Sequence, residues 1–305
     1  MKKTIFIALL SCFAHSMVAQ EAEQRIKFSP YGFVRNEFFY DTRQSLTSAG
    51  GLLYLAPLDK NVNEIGEDLN AQPVSRLLSM ESRLGLRITG IDTWNAKISA
   101  NVEADFDGFS IAGGNLTSNT VLRLRQAWVK IQWQKLDVQM GQTWHPMFGT
   151  VVPEVLGVAT GAPFQPLNRS PQVRIGYAMK DLHVYSAAVY QMQNLSVGQH
   201  GSSPEYLRNN ILPELYVGFD YMPKQWIFGA GIARLELRPR TVGERQVIIN
   251  EVPTIIQAKV DDRISSLSAQ AYAQYSIQKL KVKAKCMYGQ NTAHLLQLSG
   301  YGISE

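Results

Sequence analysis

Charged side chains recur in this chain at every second position of otherwise apolar stretches, and that spacing limits the chemistry open to them. Glu103 and Asp105 alternate with Val102, Ala104 and Phe106, while Arg123 and Arg125 flank Leu124. Arg83 and Arg87 lie opposite Leu84, Leu86 and Ile88, and Arg174 stands between Val173 and Ile175. Near the end, Lys279, Lys281, Lys283 and Lys285 alternate with Leu280, Val282, Ala284 and Cys286. On extended backbone, residues two apart share a face. Basic and acidic ladders facing one body of water would set a transverse field across it, and a basic excess would favour anions. The alternative is that these charges pair with one another and keep their face wet.

Covalent and metal chemistry find less support. Beyond the first twenty residues the histidines are His145, His183, His200 and His294, of which His145, beside Trp144, is the one to test for catalysis. No Gly-x-Ser-x-Gly segment and no paired acid and histidine spacing accompany it. No His, Cys or acidic positions combine at a zinc spacing, and no helix follows Gly229-Ala230-Gly231 as a phosphate loop would require. The expectation is no catalytic residue, no cofactor and no metal.

The positioning elements are strands. From Trp94 to Asp107 every even position is apolar and every odd one polar or charged, a period of two over fourteen residues. Such a strand is about 45 Å long at roughly 3.3 Å per residue, beyond the usual globular strand. A tilted strand crossing a bilayer needs that length; a long half-buried strand of a soluble sandwich is the competing reading.

Export, taken with strand length, loop asymmetry and the absence of disulfides, favours the barrel. Lys2 and Lys3, the apolar run Thr4 to Leu10 and the small residues before Glu21 read as a signal peptide over residues 1–20, cut after Ala19 or Gln20. Its removal leaves Cys286 as the one cysteine, so no internal disulfide forms, which suits a bacterial envelope. The net charge of +5 is too weak and dispersed for a nucleic-acid partner.

Along residues 21–305 the alternation predicts eleven strands, with a twelfth beginning near Leu296. The first runs through Arg25 to Arg43, the second from Arg76 to Gly90, with a tight turn at Ile91-Asp92-Thr93. The strand from Val121 to Trp133 slips phase near Gln126, where a bulge would fit. Connections alternate short and long. The longest irregular stretch, residues 142–170, contains four prolines together with Glu154 and Arg169; a loop of that length in a compact domain is usually functional. Trp94, Trp133, Trp226, Tyr31, Tyr177 and Tyr221 near strand ends would form interfacial girdles. The fold class is therefore all-β, an antiparallel up-and-down transmembrane barrel with one long inward-folding loop.

Four segments in order, Tyr31-Gly32-Phe33-Val34-Arg35, Asn101-Val102-Glu103-Ala104-Asp105-Phe106, Leu122-Arg123-Leu124-Arg125-Gln126-Ala127-Trp128 and Gly141-Gln142-Thr143-Trp144, together resemble the DcaP-like branch of Gram-negative porins. The resemblance runs from about Gln24 to the end. It implies a homotrimer of sixteen-stranded barrels in outer-membrane lipid, passing small hydrophilic solutes by diffusion, with the loop after Gly-Gln-Thr-Trp narrowing the pore. Arg83, Arg87, Glu103, Asp105, Arg123 and Arg125 would line that pore, with Arg174, Lys281 and Lys283; Glu154 and Arg169 would sit in the narrowing loop. The chain stops at Ser304-Glu305 without the terminal aromatic of such families, so the strand count is expected to fall short by truncation. A barrel hydrolase and a soluble exported β-sandwich binding protein remain the rival functions.

Overall fold

Alternation becomes, in a computed structural model, eleven antiparallel strands joined in sequence order into one sheet. The structure describes residues 26–48, 53–108, 111–112, 115–116, 121–154, 161, 164–191, 194–198 and 201–297. The signal segment and residues 298–305 lie outside them. The strands are β1 (Lys27–Phe33), β2 (Arg83–Thr93), β3 (Ala96–Gly108), β4 (Val121–Gln132), β5 (Leu136–Trp144) and β6 (Arg169–Met179). They continue as β7 (Leu182–Val189), β8 (Glu214–Tyr221), β9 (Trp226–Leu237), β10 (Ile264–Ile277) and β11 (Leu280–Gly289). Each pairs with its sequence neighbours, and among the described residues β1 and β11 form the two edges. No described helix is long and apolar enough to cross a membrane.

Burial is inverted relative to a water-soluble protein. In β3 Val102 is 49% exposed while Glu103 is 5% exposed, and β8 alternates buried Glu214, Tyr216 and Asp220 with exposed Leu215, Val217, Phe219 and Tyr221. The apolar phase therefore faces outward and the polar phase inward, which is what hydrocarbon outside and water inside demand. A soluble sandwich would bury the opposite set.

The short connections lie at one end of the sheet and the long ones at the other. At the short end Trp94 and Asn95 both have φ of 54°, so these two residues form the turn between β2 and β3. The expected turn at Ile91–Thr93 is instead the end of β2, because left-handed Gly90 (φ 85°) and a register shift between Ile88 and Ile91 carry the pairing past it. Trp94, Trp133, Tyr177, Tyr221 and Trp226 gather at this end, with Trp226 packed on Phe228 and Tyr275. Tyr31 does not join them. It lies in mid-strand opposite Gly85 and turns inward to donate to Asn101 and Glu103.

Other expectations also shift. Glu37–Asp41 leaves β1 and pairs with Val74–Leu78 in a separate ribbon, so the first two predicted strands are each half ribbon and half sheet. The break coincides with Ser79 and Ser82, whose hydroxyls bond to Asn36 and back to the Ser79 carbonyl instead of continuing a ladder. Residues 242–259 form a two-stranded hairpin, Val242–Ile249 with Val252–Lys259. The twelfth strand does not begin at Leu296, which has φ of 60° and ends a 3-10 turn over Thr292–Leu295. In β9 the inward phase is Gly229, Gly231, Ala233, Leu235 and Leu237, all buried, so over residues 226–233, before Arg234 and Glu236, both faces of this strand are apolar and its alternation is weak in sequence.

Candidate functional site

The inner face gains its chemistry where β4 loses register. Between Leu124 and Gln126 the pairing with β3 shifts by one residue, leaving Arg125 as the extra residue of a bulge. Arg123 opposes Asp105 and Gln126 opposes Glu103, so the bulge turns Arg123, Arg125 and Gln126 toward the same two carboxylates. Arg123 meets Asp105 through two parallel bonds of 3.0 and 2.8 Å, the bidentate geometry of a guanidinium on a carboxylate. Arg125 donates to Glu103 at 2.7 Å and to Asp105 at 2.6 Å. Arg83 approaches Glu103 at 3.6 Å from the other side, and Tyr31 Oη donates to Glu103 at 3.0 Å. Taking two carboxylates out of water is costly without partners, and here each has more than one.

Two more cations extend this group. Trp144, the last residue of β5, stacks on Phe148 with ring centroids 4.1 Å apart. Arg169 lies over the Trp144 ring at 4.7 Å and Arg125 over the same ring at 5.7 Å. Arg169 is therefore not a loop residue, as the sequence suggested, but the first residue of β6 opposite Trp144. Arg174 lies over Tyr185 at 5.0 Å and donates to the Trp144 carbonyl. Arg87 pairs in register with Asn101, on the inward phase, and is exposed there. Arginines thus outnumber the carboxylates around which they are arranged.

Of the chain between β5 and β6, residues 145–154 fold over this inner face. Its opening turn is the 3-10 helix Pro146–Phe148, closed by Gly149 at φ of 70°. Met147 is fully buried, packed with Tyr185, Ala187, Val189, Tyr216, Ala233 and Leu295. A segment outside any ladder must find other donors for its carbonyls. Gln270 donates to Pro146 O at 3.0 Å, Lys285 to Phe148 O at 2.8 Å and Lys283 to Val152 O at 2.9 Å. Glu154 takes Lys283 at 2.8 Å and Lys281 at 3.1 Å. Those two ammonium groups, Lys283 first, hold the Glu154 carboxyl below its ordinary range. The lysines of β11, Lys281, Lys283 and Lys285, are thus clamps on the segment, whereas Lys279 lies in the turn with Gln278.

A third group was not visible in the sequence. His145, Glu214 and His294 meet in a buried cluster, with His145 Nε2 3.1 Å and His294 Nε2 3.0 Å from Glu214 Oε2. Their three ligand-type atoms lie within 4.8 Å of one another, close enough to hold a metal ion. The residues are 69 and 80 positions apart, so no local spacing announces them. The predicted residues Arg83, Glu103, Asp105, Arg123, Arg125 and Arg169 come together; Glu154, Lys281 and Lys283 form a second group, and Arg87 stands apart.

No family model and no curated protein matches the chain. Solved structures do. The outer membrane channel DcaP of Acinetobacter baumannii superposes with a TM-score of 0.60 over 90% of this chain and 66% of its own length, at 17% identity. OmpT of Vibrio cholerae, an outer membrane protein in trimer form, gives 0.50 over 87% and 65%, at 12% identity. The present chain spans about two thirds of the length of these proteins. At such identities the likeness is one of fold, and at that level it bears out the resemblance carried by the strand motifs.

Proposed function

Starting from an outer-membrane channel fold, we propose that this chain forms the wall of a diffusion porin in a Gram-negative outer membrane, exported by a cleaved signal peptide. Small hydrophilic solutes pass down their gradient, with anions favoured, and no bond is made or broken. The observation that carries the reading is residues 145–154 held across an inward polar face on which Arg83, Arg123, Arg125 and Arg169 gather around two carboxylates, Glu103 and Asp105. A clamped segment narrows the passage, and fixed guanidinium groups at the narrowing raise the local concentration of anions. The fold shared with a protein solved in trimer form supports a homotrimer seated in lipid.

The hydrolase alternative loses its one candidate, since His145 is buried and bonded to Glu214 and to the Met147 backbone. Planar-bilayer recording on the purified protein tests the porin reading. Stepwise conductance with a reversal potential displaced toward anions is expected under a salt gradient. Silent membranes, or a cation preference, would overturn it.

A further inference from the structure

His145, Glu214 and His294 join three parts of the chain that the ladder does not connect. His145 opens the infolded segment, Glu214 begins β8, and His294 lies in the turn Thr292–Leu295 after β11. All three side chains are almost completely buried. Both imidazoles meet one carboxylate oxygen, Glu214 Oε2, through Nε2, at 3.1 and 3.0 Å.

A buried carboxylate needs a compensating charge, and neutral imidazoles supply none. The cations of the neighbouring strands are engaged elsewhere: Lys285 donates to the carbonyls of Met147 and Phe148, and Arg174 lies over Tyr185 and donates to the Trp144 carbonyl. His294 shows the same deficit. Its Nδ1 stands 3.2 Å from the Asn291 carbonyl and its Nε2 3.0 Å from Glu214, so an oxygen faces each ring nitrogen. With the single proton of the neutral ring on Nδ1, the Nε2 lone pair points at the carboxylate. A carbonyl on the far nitrogen is how a metal-bound histidine is oriented.

Two imidazole nitrogens and a carboxylate oxygen suit zinc and its first-row neighbours, whereas calcium and magnesium take oxygens. Tetrahedral zinc holds its donors about 3.3 Å apart. Both nitrogen–oxygen distances are close to that, and all three atoms lie within 4.8 Å of one another. A fourth donor stands beside them. Asn168 accepts the His145 N–H on its carbonyl at 2.9 Å, which continues the β5–β6 register and puts both side chains on one face. Asn168 is fully buried, and neither its Oδ1 nor its Nδ2 has a hydrogen-bond partner among the described residues. A buried amide left without partners is costly, and coordination through Oδ1 gives its oxygen one.

We propose that His145, Glu214 and His294, closed by the Asn168 amide oxygen, bind a divalent metal ion of the zinc type that staples the start of the infolded segment to the wall. Four buried donors leave no open position for a substrate, so the ion holds structure. Coordination displaces one bond. His145 carries its proton on Nδ1 when Nε2 binds metal, and the Met147 N–H, now 3.2 Å from Nδ1, turns aside. A single neutral hydrogen bond at the long end of the range is exchanged for a bond to a cation. The staple stands on the cluster itself and does not depend on the channel reading.

Zinc titration of the purified whole protein, stripped beforehand with a chelator, tests the staple. One zinc per chain is expected to survive gel filtration, with calcium unable to compete. Backbone hydrogen exchange over residues 145–154 should slow about tenfold or more on adding zinc, since the ion binds the fastened form. His294→Gln is expected to weaken zinc binding at least tenfold. Cobalt in the unaltered protein provides a reading that needs no variant: its visible spectrum should be that of a four-coordinate nitrogen and oxygen site. No retained zinc, zinc held equally by His294→Gln, exchange unchanged by zinc, or a six-coordinate cobalt spectrum would overturn the staple. Zinc retained while planar bilayers stay silent would leave the staple standing and remove the channel.

Discussion

Arg125 Nη1 lies 2.6 Å from Asp105 Oδ2 because the residue that carries it is the surplus member of a β-bulge. Without the extra residue, β4 would oppose β3 one for one, and a single arginine would face each carboxylate. The bulge instead gives Asp105 two guanidinium partners, one bidentate. Asp105→Asn should therefore leave both arginines undercompensated, costing about 3–5 kcal/mol, the usual result of removing one partner of a buried pair. Loss of heat resistance in gel mobility would register it, together with a stronger anion preference in whatever protein still inserts.

Arg123→Ala with Arg125→Ala should act in the opposite sense on selectivity. Reversal potentials under a salt gradient are expected to move toward zero or to cation preference. An unchanged potential would assign the pair to structure alone.

Glu154 provides a pH dependence of known sign. Its folded-state carboxyl is depressed by Lys283 and Lys281, so its contribution is complete above the ordinary carboxylate range and is lost as pH falls through the depressed value. Open-channel noise should stay constant through neutral pH and rise in the acid range below that of a free glutamate. Glu154→Gln should show raised noise at all pH values.

Gly141 tolerates no side chain. Its φ is 123°, and a Cβ there would stand 2.1 Å from the Ala127 carbonyl oxygen. Gly141→Ala should destabilise the β4–β5 hairpin by about 1–3 kcal/mol or more, the scale of such backbone strain. The folded fraction after refolding into detergent measures it.

Val217 is on the outward phase of β8 and 54% exposed. If that phase meets hydrocarbon, Val217→Arg should cost about 2–4 kcal/mol near the bilayer midplane. Membrane insertion of the variant should fall while its solubility in detergent is retained. Insertion equal to the unaltered protein would argue that this face meets water.

The sequence carried much of the wall. In β3, β8 and β10 one phase is apolar and the other polar, so a period of two located them. Where both phases are apolar, as over residues 226–233 of β9, or where serines divert the backbone, as at Ser79–Ser82, the periodicity carries no boundary. The slip near Gln126 was legible as a bulge, but that Arg125 was the residue displaced depends on the register with β3. The role of the β11 lysines was hidden for a different reason. Their spacing shows that they share a face, while Lys285 meets Phe148 across 137 positions. The Glu214 cluster is more remote still from local pattern, since its three members come from the connection after β5, the first residue of β8 and the turn after β11.

The clamps on residues 145–154 also have an order in time. Every wall side chain that takes a carbonyl of Pro146, Phe148 or Val152 belongs to β10 or β11, between 124 and 137 positions away. Contacts so distant along the chain form late, after loop closure has been accomplished by the strands between them. The wall must therefore assemble first, and residues 145–154 are the last to be put in place.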